Sequence, residues 1–316
     1  MEKIDILVVG PNRPVQMKML EQTYRLHRYD LASAVEKEAM LREVGADIRA
    51  VITSHGAGFE ESLMAQLPNL EIVCCSSVGF DTLCVEACRE RGIPVTNTPD
   101  VLTDDVADMG MMLLLATVRR LLMGVEWINS GDWINKGMMP LNRSLKGKTL
   151  GIVGLGRIGK ALALRAQASG ICISYYGRRP QPDQPYRYYD DLVALARDVD
   201  ILAPVIPGGP ETECLISREV LAALGPEGYF INISRGSVVD EAALVELLEQ
   251  GKLAGAGLDV FVDEPHVPQA LLAMDNLVLQ PHCASGTEET RGAMAQLVVD
   301  NLAAHFAGQL LLTEIR

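Results

Sequence analysis

Aromatic side chains are scarce in this chain of 316 residues, at 5% for Phe, Tyr and Trp together. That scarcity argues against a β-sandwich core and for aliphatic α/β packing. There are seven cysteines but no CxxC pair and no paired framework, which excludes a zinc ribbon or a disulfide scaffold. Reduced, mostly buried thiols in a cytoplasmic protein are expected instead. Only five histidines occur, scattered, so no metal site emerges. Long apolar runs are missing too: the longest, 109–118, is closed by Asp108 and Arg119 and is too short to cross a bilayer. The first ten residues begin with charges and read as a strand rather than a signal peptide. Cations are outnumbered, 28 Lys and Arg against 41 Asp and Glu, for a net charge of −13. An acidic chain of this kind is poorly suited to nucleic acid or an anionic membrane, and an anionic substrate would have to be held by local arginines.

The apolar content is 48%, and the length suffices for two domains. Short apolar runs at 4–9, 50–53, 71–76 and 94–97 alternate with helical patterns at 14–22, 60–66 and 82–91. This predicts a small parallel sheet, flavodoxin-like in outline. Thr98-Pro99 marks a break, and one long helix is expected over about 104–130, with acids at its start and Arg119-Arg120 further along. Further strand signals lie at 148–153, 171–176, 201–206, 228–233, 254–260 and 277–280. A last helix over 287–306 has no sheet of its own nearby and is expected to pack back on the first domain. The fold class is therefore α/β, with two Rossmann- or flavodoxin-like parallel-sheet domains and an active site in the cleft between them. A discontinuous substrate domain (1–99 and 287–316) flanks a dinucleotide-binding and dimerisation domain (100–286), with hinges near 98–101 and 285–287.

Gly154-Leu155-Gly156-Arg157-Ile158-Gly159 stands between the strand 148–153 and a helix over 158–169. Glycines there let the backbone turn tightly and approach a pyrophosphate resting on the positive end of the helix. The next strand ends not in the acid that would bond the adenosine ribose but in Gly177-Arg178-Arg179. Guanidinium groups bind a 2′-phosphate bidentately, so NADP(H) is preferred over NAD(H); a solvated basic turn is the bland alternative. The proline-rich stretch 180–185 reads as a loop beside the adenosine end.

Three polar groups follow strands of the second domain: Arg235, Glu264 and His282. Together they suit reduction of a 2-keto acid. Arg235 can hold the carboxylate and polarise the keto oxygen, His282 can protonate that oxygen, and Glu264 can fix the histidine tautomer. Singly, each reads as readily as a structural or solvated side chain.

With SVGFD at 77–81, NTPDVLTDDVAD at 97–108, GLGRIG at 154–159, NISRG at 232–236, GLDVF at 257–261, DEP at 263–265 and PHCASGT at 281–287, the chain resembles the D-isomer-specific 2-hydroxyacid dehydrogenases, in their glyoxylate/hydroxypyruvate reductase branch. The resemblance covers nearly the whole chain in order. It implies that Arg235, Glu264 and His282 are the catalytic arginine, acid and histidine. It implies that the backbone of Val78 and Gly79 grips the substrate carboxylate; Ser285 is also assigned to the substrate, and His55 either meets a polar substrate tail or is a solvated loop residue. Cofactor contacts are implied at Gly154 through Gly159, at Gly177, Arg178 and Arg179, and at Val205, Ile206, Pro207, Thr212, Ile233, Ser234, Asp259 and Gly286. It further implies a homodimer formed through the 104–130 helix and the arm bearing Trp133, with Trp133 or Met138-Met139 near the neighbouring subunit's substrate. The glycine-rich 207–212 passage, Cys283 after the histidine and the 54–58 loop depart from the pattern and leave the substrate side chain open. Glyoxylate and hydroxypyruvate are the first candidates, with glycolate and D-glycerate as products. Bulkier aryl-pyruvates are the alternative, and a non-catalytic NADP(H)-sensing protein is a second.

Overall fold

The structure, a computed structural model, describes residues 3–315, so Met1, Glu2 and Arg316, at the ends of the expected first domain, lie outside the described residues. The chain divides into two compact units, one running to Leu102 and resuming at Ser285, the other Thr103–Ala284.

In the first unit the elements are β1 (Asp5–Val8), α1 (Pro14–Thr23), β2 (Arg25–His27), α2 (Ala34–Val44), β3 (Ile48–Thr53), α3 (Glu61–Met64), β4 (Ile72–Cys75), α4 (Val85–Glu90) and β5 (Val95–Thr96). The five strands are parallel in the order β2-β1-β3-β4-β5, the flavodoxin-like arrangement. Strands β1 and β4 are buried throughout, as expected of a parallel sheet covered on both faces. Alternate residues serve the two layers: Ile6, Ala50, Ile72 and Cys74 join one cluster, Leu7, Val51, Val73 and Cys75 the other.

The second unit contains α5 (Thr103–Val118), α6 (Leu121–Asn129), α7 (Asp132–Lys136), β6 (Thr149–Val153), α8 (Arg157–Ala168), β7 (Cys172–Tyr176), β8 (Arg187–Tyr189), α9 (Leu192–Asp198), β9 (Ile201–Pro204), α10 (Arg218–Leu224), β10 (Tyr229–Asn232), α11 (Glu241–Glu249), β11 (Gly255–Leu258), α12 (Gln269–Leu272) and β12 (Leu277–Leu279). Its seven strands run β12-β11-β10-β9-β6-β7-β8, all parallel, with the order reversing between β6 and β9. This is the doubly wound dinucleotide-binding order. The chain then returns to the first unit as α13 (Glu288–Phe306), whose Val298 and Leu302 pack with Met17 and Leu20 of α1.

The expected long helix over 104–130 is broken in two. Arg120 has a left-handed φ of 49°, separating α5 from α6. Helix α5 lies on the sheet as far as Thr117, whose side chain sits over Gly255 and Gly257. Helix α6 has no buried residue, so nothing apolar holds the helix on its former course.

One close approach fixes how the loops after β10 and β11 meet. A Cβ on Gly236 would lie 2.0 Å from both the carbonyl carbon and the oxygen of Phe261. Backbone faces backbone there, and no rotamer can yield. Gly236→Ala is expected to cost about 1–3 kcal/mol of stability, as overpacking does, and guanidinium denaturation would measure it.

Candidate active site

The glycine turn lies at the switch point of the seven-stranded sheet. Gly154 has φ +97°, and a Cβ there would strike Ile206 Cγ2 at 2.5 Å and the Val205 carbonyl at 2.7 Å. It therefore lets the end of β6 pass close beside the end of β9. Gly159 is pressed on the Gly154 carbonyl, which a Cβ would meet at 2.4 Å. Gly156 differs: nothing lies within 4 Å of its Cβ position, and it is exposed at the N-cap of α8. Leu155 is buried as the anchor of the turn, Ile158 is half-buried and Arg157 is exposed. Two glycines required by packing and one left open at a helix N-terminus fit a dinucleotide pyrophosphate.

Around this turn, Gly177 is half-buried, and Arg178 and Arg179 are exposed after β7. Val205, Ile206 and Pro207 follow β9. Ile206 is tied to the neighbouring strand end, its N–H donating to Ser234 Oγ at 3.1 Å while the Ser234 hydroxyl donates to the Ile206 carbonyl. The Thr212 hydroxyl closes the glycine-rich loop by donating to the Pro207 carbonyl at 2.8 Å. Ile233 is buried and faces Gly110 of α5, where a Cβ would come within 2.8 Å of its Cδ1.

Arg235, Glu264 and His282 follow β10, β11 and β12, three adjacent strands. Asn232, fully buried, shapes the first of these turns. Its Nδ2 donates to the Arg235 carbonyl at 2.9 Å and its Oδ1 accepts from Ser234 N–H at 3.0 Å. Arg235 is half-buried and donates to the Ser234 carbonyl at 2.7 Å. Glu264 accepts from the Phe261 N–H at 3.0 Å with one oxygen and meets His282 Nδ1 at 2.6 Å with the other. An ionised carboxylate only accepts, so Nδ1 carries the proton in this pair.

Asp259 sets the histidine in place. Fully buried, its two carboxylate oxygens accept from the N–H groups of Cys283 and Ala284 at 2.8 and 3.0 Å, and its carbonyl accepts from the His282 N–H at 2.7 Å. Burial pushes its carboxyl above the ordinary value, opposed by these two N–H donors. Asn232 stands in the NISRG motif but outside the sequence-predicted site set, because nothing local says that its side chain closes the turn.

In the first unit, the loop after β4 is held by its carbonyls. Ser77 accepts from Thr98 N–H at 3.1 Å, Val78 from Asn97 Nδ2 at 2.8 Å, and Gly79 from Cys75 Sγ at 3.8 Å. Asn97 is a second residue that sequence reasoning missed. His55 Nε2 pairs with Asp81 Oδ2 at 3.0 Å. Ser285 is half-buried and Gly286 exposed, where the chain passes back to the first unit.

Among the described residues no cluster of His, Cys, Asp and Glu could hold a metal, and no helix is long and apolar enough to cross a membrane. All seven cysteines are free, but only Cys74, Cys75 and Cys88 are buried; Cys172 and Cys214 are exposed, which corrects the expectation of mostly buried thiols. Cys172 opens β7 and Cys214 follows a loop turn, places where apolar spacing alone does not report cover.

A doubly wound sheet, a glycine turn at its switch point and a histidine–carboxylate pair after the two outermost strands on the β9 side define a pyridine-nucleotide oxidoreductase. The chain belongs to the D-isomer-specific 2-hydroxyacid dehydrogenases: the model of that family's NAD-binding domain matches residues 111–284. It is 46% identical to glyoxylate/hydroxypyruvate reductase A of Arabidopsis thaliana over 315 residues, covering 100% of both chains. It is also 46% identical to a hydroxyphenylpyruvate reductase of Plectranthus scutellarioides, again over 100% of both. Its structure is similar to that of an NADPH-dependent glyoxylate/hydroxypyruvate reductase from Sinorhizobium meliloti in complex with NADP and malonate, with TM-score 0.90, 42% identity and coverage of 99% of this chain and 97% of that one.

Replacing Asn232 by Ala removes a buried donor and a buried acceptor at once, leaving Ser234 N–H and Arg235 carbonyl without them. About 1–3 kcal/mol of stability is expected to go, and kcat/KM is expected to fall more than about tenfold as Arg235 loses its set position. Denaturation and steady-state kinetics on the same variant would check both.

Proposed function

We propose that this protein reduces small 2-keto acids, glyoxylate and hydroxypyruvate foremost, to glycolate and D-glycerate with NADPH. The observation that carries the reading is His282 held through Nδ1 by Glu264, itself anchored on Phe261 N–H, one strand from the turn that presents Arg235. When bound, the coenzyme supplies the hydride to the keto carbon. Arg235 holds the substrate carboxylate and polarises the keto oxygen through its fork of donors. His282 gives that oxygen its proton from Nε2, and the Glu264 carboxylate steadies the ring by accepting from Nδ1–H. Val78 and Gly79 are assigned the second grip on the carboxylate, through backbone N–H groups. With His55 engaged by Asp81, its role toward a substrate tail is to bond through whatever freedom that pair leaves.

NADP(H) preference rests on Arg178 and Arg179, exposed where a ribose-binding acid would otherwise stand. Their charge is local in a chain of net charge −13, which makes the pair a discriminating feature for a phosphate. A second substrate reading, aryl-pyruvates, is favoured by the identity to the Plectranthus enzyme, equal to that with the Arabidopsis one.

We also propose a homodimer. A continuous run of large apolar side chains is exposed along α5, α6 and the following arm, including Leu122, Ile128, Trp133 and Met138, the last at 80% exposure. Beside it lies an apolar groove of ≈ 670 Å³ bordered by Met111, Met112, Leu115 and Leu121. Exposed apolar side chains grouped in this way commonly mark protein–protein contacts, and a second copy of the same face is the proposed cover. Free thiols suit a reducing, cytoplasmic compartment.

The decisive assay is NADPH and NADH oxidation against glyoxylate, hydroxypyruvate, pyruvate, phenylpyruvate and 4-hydroxyphenylpyruvate. Highest kcat/KM for glyoxylate or hydroxypyruvate with NADPH is expected; preference for the aryl acids would keep the mechanism and overturn the substrate. His282→Ala is expected to lose about two to four decades of kcat, and near-normal turnover would remove its role. For the assembly, Leu122→Asp is expected to shift the sedimenting species from dimer to monomer. A wild-type monomer would refute the interface.

A further inference from the structure

We propose that Gln181 is a positioning residue for coenzyme selectivity, latching the loop that carries Arg178 and Arg179 to the glycine turn; the inference rests on the NADP(H) reading above. The 177–186 segment between β7 and β8 has no helix or strand and presents both arginines to solvent. On sequence alone it is a proline-rich loop with no fixed relation to the turn.

Gln181 supplies that relation. Its side-chain Nε2 donates to the Leu155 carbonyl, in the middle of the GLGRIG turn, at 2.8 Å. Its backbone N–H donates to the Tyr175 hydroxyl at 2.7 Å, and Tyr175 is a β7 residue only 1% exposed. One residue is thus fixed to the pyrophosphate turn by its side chain and to the sheet by its backbone. The other end of the arginine pair is held as well, since the Tyr188 hydroxyl donates to the Gly177 carbonyl at 3.1 Å. The rings of Tyr175 and Tyr188 pack together with centroids 5.4 Å apart. Farther along, the Tyr186 hydroxyl donates to Gln167 on α8 at 2.8 Å, and Asp183 lies 3.7 Å from Lys160 on the same helix.

Arg178 and Arg179 therefore sit on a short span clamped at Gly177 and at Gln181. A free loop would have to be ordered by the ligand, with the entropy of several residues set against the phosphate contact. A clamped span has already lost that freedom. The benefit falls on a coenzyme with a 2′-phosphate and not on one without it. Gln181 thereby acts on the difference between the two coenzymes, without contacting the reacting atoms.

Gln181→Met keeps length and apolar bulk and removes the donor to Leu155. In the full-length protein, the KM and the fluorescence-titrated Kd for NADPH are expected to rise about three- to tenfold, the value of one hydrogen bond. NADH values and kcat with saturating NADPH should stay within about twofold. Gln181→Ala, with less packing retained, should shift the same ratio in the same direction. Equal weakening of both coenzymes would show a merely structural role and overturn the proposal, as would an unchanged NADPH to NADH ratio. The two readings separate cleanly. A wild-type enzyme without NADPH preference overturns the Arg178/Arg179 reading and this inference with it. A wild-type preference that Arg178→Ala abolishes and Gln181→Met leaves intact overturns this inference alone.

Discussion

Parallel pairing makes every strand of the seven-stranded sheet deliver its chain to the same edge, and the functional arrangement depends on that constraint. The turns after β6, β9, β10, β11 and β12 must share one narrow strip of space. Where two of them crowd, a side chain cannot be accommodated. Gly154 lies against the end of β9, and Gly236 lies against the backbone at Phe261. These positions hold glycine because of neighbours across the sheet. Gly156, with nothing near its Cβ position, is not required by any neighbour within the chain.

The same crowding buries polar groups that must be satisfied within the chain. Asn232, Ser234 and Asp259 are all buried just past or at strand ends, and each spends its hydrogen bonds on the backbone of the adjoining turn. An unmet buried partner costs about 1–3 kcal/mol, so these bonds fix the turns as firmly as apolar packing fixes the strands. Arg235 and the His282–Glu264 pair stand on the turns or strand ends that these bonds fix.

Much of this was legible in the sequence where the signal is periodic or local. Apolar runs mark four of the five strands of the first sheet and six of the seven of the second, and the strand–GLGRIG–helix unit is read directly. The edge strands β2 and β8 and the helix α2 escaped the strand-and-helix reading, although Ser33 and Glu36 form a capping box at the start of α2. β2 is only three residues long and half-exposed, so it has too little apolar pattern to register. The break at Arg120 was invisible for a different reason. No glycine or proline announces it, and the helix ends where the sheet beneath it ends, which is a tertiary fact. Asn97 and Asn232 lie inside motifs that were recognised, yet their tasks depend on which carbonyls the folded turns bring near.

His282 joins these themes. Its φ of 49° is left-handed, a conformation in which a Cβ meets the following carbonyl oxygen at a cost of about 1–2 kcal/mol. Glycine would adopt it without strain but would carry no imidazole. The backbone around it is correspondingly over-determined: His282 N–H is bonded to the Asp259 carbonyl, and the next two N–H groups are bonded to the Asp259 carboxylate. The ring is fixed separately, by Glu264 at Nδ1. Strain in the backbone is thus offset by a buried carboxylate that accepts from the two N–H groups of that turn, while the imidazole ring is held by a different acid. Dividing the two tasks lets the half-exposed Glu264 set the orientation of the imidazole without also carrying the fold, and lets Asp259 hold the fold from a position with no exposed surface.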